Sequence, residues 1–180
     1  KATKIDVDGS TVAQVTVVEN NTDAKAIAVK GLANTNTVQL DNNVDGPNQA
    51  VGAVTLTLKD GSGSADSLNL ILAGTSGHDS TDGNDVVSVT VANLETLNVS
   101  STHLGTTDFL TTDRNVLTSL VADTSLTTLN LSGSDALDVT LTSAATKLAT
   151  IDGSGMSGKL ALTVAAIADQ TVTAGSKADT

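Results

Sequence analysis

The chain has 180 residues, 39% of them hydrophobic, and its 20 acidic side chains against 9 basic ones give a net charge of −11. Because so few cations could neutralise phosphate, the composition excludes nucleic acid as a partner. The absence of cysteine excludes disulfides and zinc–thiolate sites, and no apolar run reaches the roughly 20 residues of a transmembrane segment.

Short segments of alternating polarity predict β-strands from the first residues onward. Half-buried strands are expected at residues 4–7, 12–18, 26–29 and 38–40, and stronger ones at 54–58, 68–72 and 86–91. Turns rich in Gly, Ser and Asp close these strands, as at residues 59–63. The best helix-like stretch, 143–148, is too short to be stable as an isolated helix. The chain is therefore expected to be all-β.

A phrase of alternating apolar and polar residues recurs in the second half. It reads LETLNVS at 94–100, LTTLNLS at 126–132 and KLATIDGS at 147–154, with a degenerate copy, VLTSLVAD, at 116–123. Aligning Leu97, Leu120 and Ile151 with Leu129 predicts a coil of about 22 residues. Such a unit cannot bury its apolar face alone, so its neighbours must stack. The pattern predicts an elongated, parallel β-helix-like β-solenoid of short repeated coils with little or no helix.

The interior is expected to consist of aliphatic ladders, because Phe109 is the only aromatic residue. The predicted ladder positions are Leu94, Leu97, Val99, Leu117, Leu120, Leu126, Leu129, Leu131, Leu148 and Ile151. A single β-rich repeat region is expected over residues 1–180, with a soft boundary near 74–85 and the clearest repeats at 86–175. The polar stretches 41–49 and 74–85 are interpreted as loops or soft boundaries, and neither requires a second domain.

Two runs carry the most characteristic sequence of the chain: DSLNLIL at 66–72 and VVSVTVANLETLNV at 86–99. They resemble the repetitive β-rich regions of bacterial surface-layer proteins of the RTX, type I secreted kind, and of related large adhesins. The resemblance implies an extracellular, calcium-dependent structural protein that assembles into a paracrystalline coat. Pieces of the glycine-rich RTX nonapeptide begin at Gly77 and Gly83, six positions apart instead of nine, so a regular calcium β-roll is not expected.

The first candidate calcium loop lies at residues 41–46. Asp41, Asn43 and Asp45 match the first half of a D-x-[DN]-x-[DN]-G loop, in which alternating oxygen ligands converge on the cation. Gly52 stands where such a loop has its bidentate Glu, so a solvated turn is the alternative.

A second candidate calcium site lies in the polar stretch before residue 86. It consists of Asp79, Asp82, Asn84 and Asp85, whose carboxylates repel one another unless a cation or solvent screens them. The remaining acidic pairs, Asp6 with Asp8 and Asp60 with Asp66, are better explained as Asp–Gly turns.

Groups suited to catalysis are sparse. His78 and His103 are the only histidines, and neither belongs to a recognisable nucleophile motif, so both are expected to lie on the surface. Glu95 interrupts the apolar phrase at the position of Thr127 and Thr150. Alternation points Glu95 outward, where a charge discourages edge pairing. No enzymatic activity is expected.

These observations favour a structural component of a secreted bacterial surface layer, which self-assembles with calcium through lattice neighbours and contacts cell-surface polysaccharide through another region. The alternative is a calcium-stabilised stalk or binding domain of a large secreted adhesin. Thr-x-Thr motifs at Thr55, Thr140 and Thr171 have the local form of ice-binding solenoids. Their spacing is uneven, so an ice-binding face is not expected.

Overall fold

The computed structural model describes residues 3–19, 25–42, 50–75, 85–104, 114–142, 145–165 and 169–180. Over these ranges every regular element is a β-strand. The strands are β1 (Thr3–Asp6), β2 (Gln14–Glu19), β3 (Ile27–Leu32), β4 (Thr37–Asn42), β5 (Val51–Leu58), β6 (Ser67–Thr75), β7 (Asp85–Val91), β8 (Thr96–Leu104), β9 (Arg114–Ala122), β10 (Thr128–Gly133), β11 (Ala136–Leu141), β12 (Thr150–Met156), β13 (Leu160–Val164) and β14 (Thr171–Thr173). The all-β prediction is confirmed, and the described end of the helix-like stretch contains a turn instead.

The odd-numbered strands form one sheet and the even-numbered strands form a second. Each sheet runs through its strands in sequence order, from β1 to β13 and from β2 to β14. All neighbours pair in parallel. Parallel neighbours need a crossover connection, and here the strand in the opposite sheet supplies it. Each coil thus contributes one strand to each sheet, which confirms the predicted β-solenoid.

The register of the even-numbered sheet explains the recurring phrase. Leu97, Leu129 and Ile151 lie side by side on β8, β10 and β12, as their alignment predicts. Leu120 does not join them, because it lies on β9 in the opposite sheet and pairs with Leu141. That part of the alignment is wrong. Strands of both sheets alternate in the same way, so sequence similarity alone does not assign a strand to its sheet.

Aliphatic side chains fill the space between the two sheets. All the predicted ladder residues are buried, and none is more than 1% exposed. On β10, Leu129 and Leu131 point inward while Asn130 faces outward, as the period of two in a strand requires. The interior is continuous from Val17 to Leu160. Polar groups that could have a function therefore lie at the turns, on the outer faces and where a polar residue replaces an aliphatic one in a ladder.

Candidate functional site

The predicted calcium ligands fall mostly outside the described residues: Asn43, Asp45, Asp79, Asp82 and Asn84 do. Asp41 lies near the end of β4 and is only 6% exposed, and Asp85 is half-buried at the start of β7. Both make contacts with other groups. Within the described ranges no group of three or more His, Cys, Asp or Glu side chains could hold a metal ion. Both calcium sites remain predictions.

A row of carboxylates, here called the acidic corner, lies where odd-numbered strands turn into even-numbered ones. It consists of Asp66, Glu95 and Asp123. The Asp66 backbone N–H donates to Glu95 Oε2 at 2.8 Å. Asp123 accepts from the N–H groups of Asn93 and Ser125, both at 2.9 Å. Charge-assisted bonds of this kind are stronger than neutral ones, so these carboxylates stabilise the turns between strands.

Glu95 is not the exposed strand charge that its position in the phrase predicts. It is half-buried, and its side chain reaches the coil before its own through Asp66. Its carbonyl accepts from the Thr127 N–H at 2.9 Å, and the Thr127 carbonyl accepts from Ala149 at 3.0 Å. The equivalent residue in the later coil is therefore Ala149, one position before Thr150. Alternation fails here because Glu95 lies in the turn before β8.

A groove of about 380 Å³ opens beside the acidic corner. Lys59 Nζ lies 2.8 Å from Asp8 Oδ1, which lowers the pKa of Asp8 and raises the pKa of Lys59. The Ser62 hydroxyl, at 2.7 Å, and the Ser62 N–H, at 3.0 Å, lower the pKa of Asp60. The Asp60 contacts are local and agree with its interpretation as a turn residue, whereas the Asp8–Lys59 ion pair joins residues that are far apart in sequence. The groove is lined by Leu32, Ala33, Asn34, Lys59, Asp60, Ser62, Gly63 and Asp66.

Polar side chains replace aliphatic ones in a cluster here called the polar corner: Ser101, His103, Asn115 and Asp135. Ser101 takes the inward position that Leu72 fills in the preceding coil. Asn115 is fully buried, and its Nδ2 donates to Ser101 Oγ at 2.8 Å. His103 Nδ1 lies 3.0 Å from Asp135 Oδ2. Asn115 Oδ1 has no hydrogen-bond partner in the structure described.

The polar corner contains a histidine–carboxylate pair, but its contacts are those of a packing element. Ser101 Oγ donates to the Ala136 carbonyl at 3.1 Å, which links β8 to the start of β11. Gly133 lies beside Ser101 in the next coil with φ +131°, and a β-carbon there would overlap the Ser101 backbone. Only glycine permits this close approach. The hydroxyl is thus engaged with the backbone and not directed at the imidazole.

Sequence reasoning missed the polar corner, and it predicted His103 to be a surface residue. The His103 side chain is 30% exposed and paired with a buried aspartate. The sequence could have indicated this corner, because a polar residue there occupies a strand position that alternation directs inward. Ser101 continues the inward series of Leu97 and Val99, and Asn115 precedes Leu117 in the same phase.

A chain of side-chain amides crosses the outer face of the even-numbered sheet. Asn98 Nδ2 donates to Asn69 Oδ1 at 2.9 Å, and Asn130 Nδ2 donates to Asn98 Oδ1 at 2.8 Å. Asn69 Nδ2 continues the chain to the Thr35 carbonyl at 2.8 Å. The parallel register places these residues beside one another, so the outer face is ordered by its own hydrogen bonds.

No protein-family model, curated protein or solved structure matches the chain. Among the residues that the structure describes, no helix is long and apolar enough to span a membrane.

Proposed function

We propose that the chain is a structural part of a secreted bacterial surface-layer protein of the RTX, type I secreted kind, which assembles with calcium into an extracellular coat. The solenoid architecture is the observation that carries the proposal. Aliphatic side chains that point inward form continuous ladders between the two sheets. Carboxylates of the acidic corner accept hydrogen bonds from backbone N–H groups. Each coil packs against its neighbours and leaves its outer surface exposed to solvent. This arrangement suits a scaffold that grows longer as coils are added.

The net charge of −11 gives calcium its role in this proposal. Two acidic surfaces repel each other, and sodium screens that repulsion without bridging it. Calcium binds six to eight oxygen ligands and can join carboxylates from separate elements. The proposed ligands are those predicted from sequence: Asp79, Asp82, Asn84 and Asp85, and Asp41, Asn43 and Asp45. The proposed partners are further copies of the protein, with cell-surface polysaccharide bound through another region.

The proposal includes no catalytic activity. His103 pairs with Asp135 inside a corner that packs coils together, and the Ser101 hydroxyl beside them donates to a backbone carbonyl. These contacts support a structural role for the residues most similar to a catalytic set.

Sedimentation velocity tests the proposal on the 180-residue chain. Samples in calcium, in sodium at equal ionic strength and in chelator are compared. Calcium should produce larger species that chelator reverses, whereas sodium should leave the monomer, because screening alone supplies no bridge.

Matched variants locate the effect. The triple variant Asp79→Asn, Asp82→Asn and Asp85→Asn should lose the calcium response. A control triple variant with the same change in charge, Asp6→Asn, Asp60→Asn and Asp138→Asn, should keep it. A monomer in all three solutions contradicts the proposal, and saturable binding of that monomer to a host glycan would assign the chain to the adhesin alternative.

A further inference from the structure

The outer face of the even-numbered sheet carries two ranks of polar side chains, here called the threonine–asparagine face. Strand register places each member beside its equivalent in the next coil, from β6 to β14. The first rank is Ser67, Thr96, Thr128, Thr150 and Thr171, and the second is Asn69, Asn98, Asn130, Asp152 and Thr173.

The face is regular in space although its motifs are irregular in sequence. Asn69 and Asn98 are 29 residues apart, Asn98 and Asn130 are 32 apart, yet both pairs are direct neighbours. The difference in sequence spacing therefore leaves the register of the paired strands unchanged. Neighbouring strands are about 4.8 Å apart, and alternate residues along a parallel strand are about 6.6 Å apart. The two ranks therefore form a lattice with these two repeats.

The groups of this lattice keep hydrogen-bonding capacity for a ligand, except that Ser67 donates its hydroxyl to Asn34 Oδ1 at 2.9 Å. The hydroxyls of Thr96, Thr128, Thr150 and Thr171 make no hydrogen bond to any described residue, and β-branching restricts their rotamers. In the amide chain, the Asn98 side chain donates one hydrogen bond through its Nδ2 and accepts one through its Oδ1. Its second N–H and the second lone pair of its oxygen remain for a ligand. A preformed surface avoids the entropy that binding otherwise spends on ordering side chains.

The charge of the face defines its partner. On a chain with net charge −11, Asp152 is the only charged residue in the two ranks. No aromatic side chain lies in them, so sugar rings find no platform, and there are no cations for a phosphate or carboxylate. An uncharged ligand with hydrogen-bonding groups on a fixed lattice is the complementary partner. We propose that the threonine–asparagine face binds ice.

Ice matches this surface because its water oxygens repeat on a lattice and both donate and accept hydrogen bonds. The spacing between neighbouring strands is close to the repeat of equivalent oxygens in hexagonal ice. Threonine hydroxyls and asparagine amides would hold water molecules in positions continuous with that crystal. The inference does not depend on calcium-dependent assembly, so either can fail without the other.

The structure also explains why the Thr-x-Thr motifs did not predict this face. Thr55 and Thr140 lie on β5 and β11 of the odd-numbered sheet, whereas Thr171 lies on β14 of the other. These motifs therefore do not align. The aligned pattern is a hydroxyl residue followed two positions later by a second polar residue. It is Thr-x-Asn on β8 and β10, Ser-x-Asn on β6, Thr-x-Asp on β12 and Thr-x-Thr on β14.

Ice partitioning tests the proposal. An ice crystal is grown slowly in a solution of the fluorescently labelled chain, and its fluorescence is compared with that from a labelled globular protein of similar size. The chain should be enriched in the ice. Thr128→Tyr, which places a bulky ring in the first rank, should abolish the enrichment. Thr90→Tyr, at a half-buried outward position on β7 of the opposite sheet, should retain it.

Two further variants keep the test decisive. If Thr128→Tyr unfolds, Thr150→Tyr tests the same rank at an exposed position. Asp152→Asn removes the one charge from the ranks and should increase enrichment. Asp138→Asn makes the same charge change on β11 of the opposite sheet and should not. The proposal would be overturned if ice excluded the wild-type chain, or if folded variants of the first rank were enriched as strongly as the wild type. Binding to crystalline polysaccharide but not to ice would also overturn it.

Discussion

Val87 and Val89 lie on the same strand, β7, but Val87 is 44% exposed and Val89 is fully buried. Val89→Ala should lower the free energy of unfolding by about 2 kcal/mol, because it removes buried methyl groups and leaves a cavity. Val87→Ala should change it by less than about 0.5 kcal/mol. Urea unfolding followed by circular dichroism measures both. Equal losses would contradict the placement of Val89 between the sheets.

Asp60 gives a prediction about pH. Its pKa is lowered by the Ser62 hydroxyl and N–H, so this interaction stabilises the fold above the ordinary aspartate pKa of about 3.9. The stabilisation is lost as pH falls through the lowered value. Ser62→Ala should therefore reduce the melting temperature at pH 7, and the difference should shrink at pH 2.

Ser119→Ala is the control for that measurement. The Ser119 hydroxyl lies 2.6 Å from the Thr142 hydroxyl, and no carboxylate takes part. Its effect on the melting temperature should not vary over the same range. A Ser62→Ala effect as large at pH 2 as at pH 7 would show that the Asp60 carboxylate is not what the hydroxyl stabilises.

At the scale of strands, the amide chain ties neighbouring coils together. Asn98 both donates to Asn69 and accepts from Asn130, so Asn98→Ala should cost about 1–2 kcal/mol of unfolding free energy at about 1 kcal/mol per bond. Ser100→Ala is the control on the same strand, because no described hydrogen bond uses the Ser100 hydroxyl. Chemical denaturation of both variants gives the comparison. Equal stability of the two would contradict a stabilising role for the chain.

The strands and their inward ladders could be predicted from the sequence because alternation and burial are local properties. Leu97, Leu129 and Ile151 were placed correctly since each strand repeats the same inward phase. Leu120 was misplaced because strands in both sheets share that phase. Which sheet receives a strand depends on the intervening turn, and the recurring phrase does not encode it.

The corners could not be predicted because their contacts join residues far apart in sequence. Asp66 meets Glu95 across 29 residues, and His103 meets Asp135 across 32. Such pairs depend on the register between coils, which changes with each loop length. The predicted calcium residues are of a different kind: most lie outside the described ranges, so they remain predictions from composition and spacing.

In the whole molecule, the interior, the turns and the outer surface have different roles. Aliphatic ladders hold the two sheets together, and backbone hydrogen bonds to Asp66 Oδ2, Glu95 Oε2 and Asp123 shape the turns. The remaining acids give the surface its negative charge, which opposes contact between copies unless a divalent cation bridges them. We therefore propose that calcium bridges the copies during assembly.

Electron microscopy of the protein tests whether calcium drives assembly. Grids prepared in calcium, in sodium at equal ionic strength and in chelator should show ordered arrays only in calcium. Chelator added to preformed arrays should disperse them. Arrays that form equally well in sodium, or dispersed particles in all three conditions, would contradict a calcium-bridged coat.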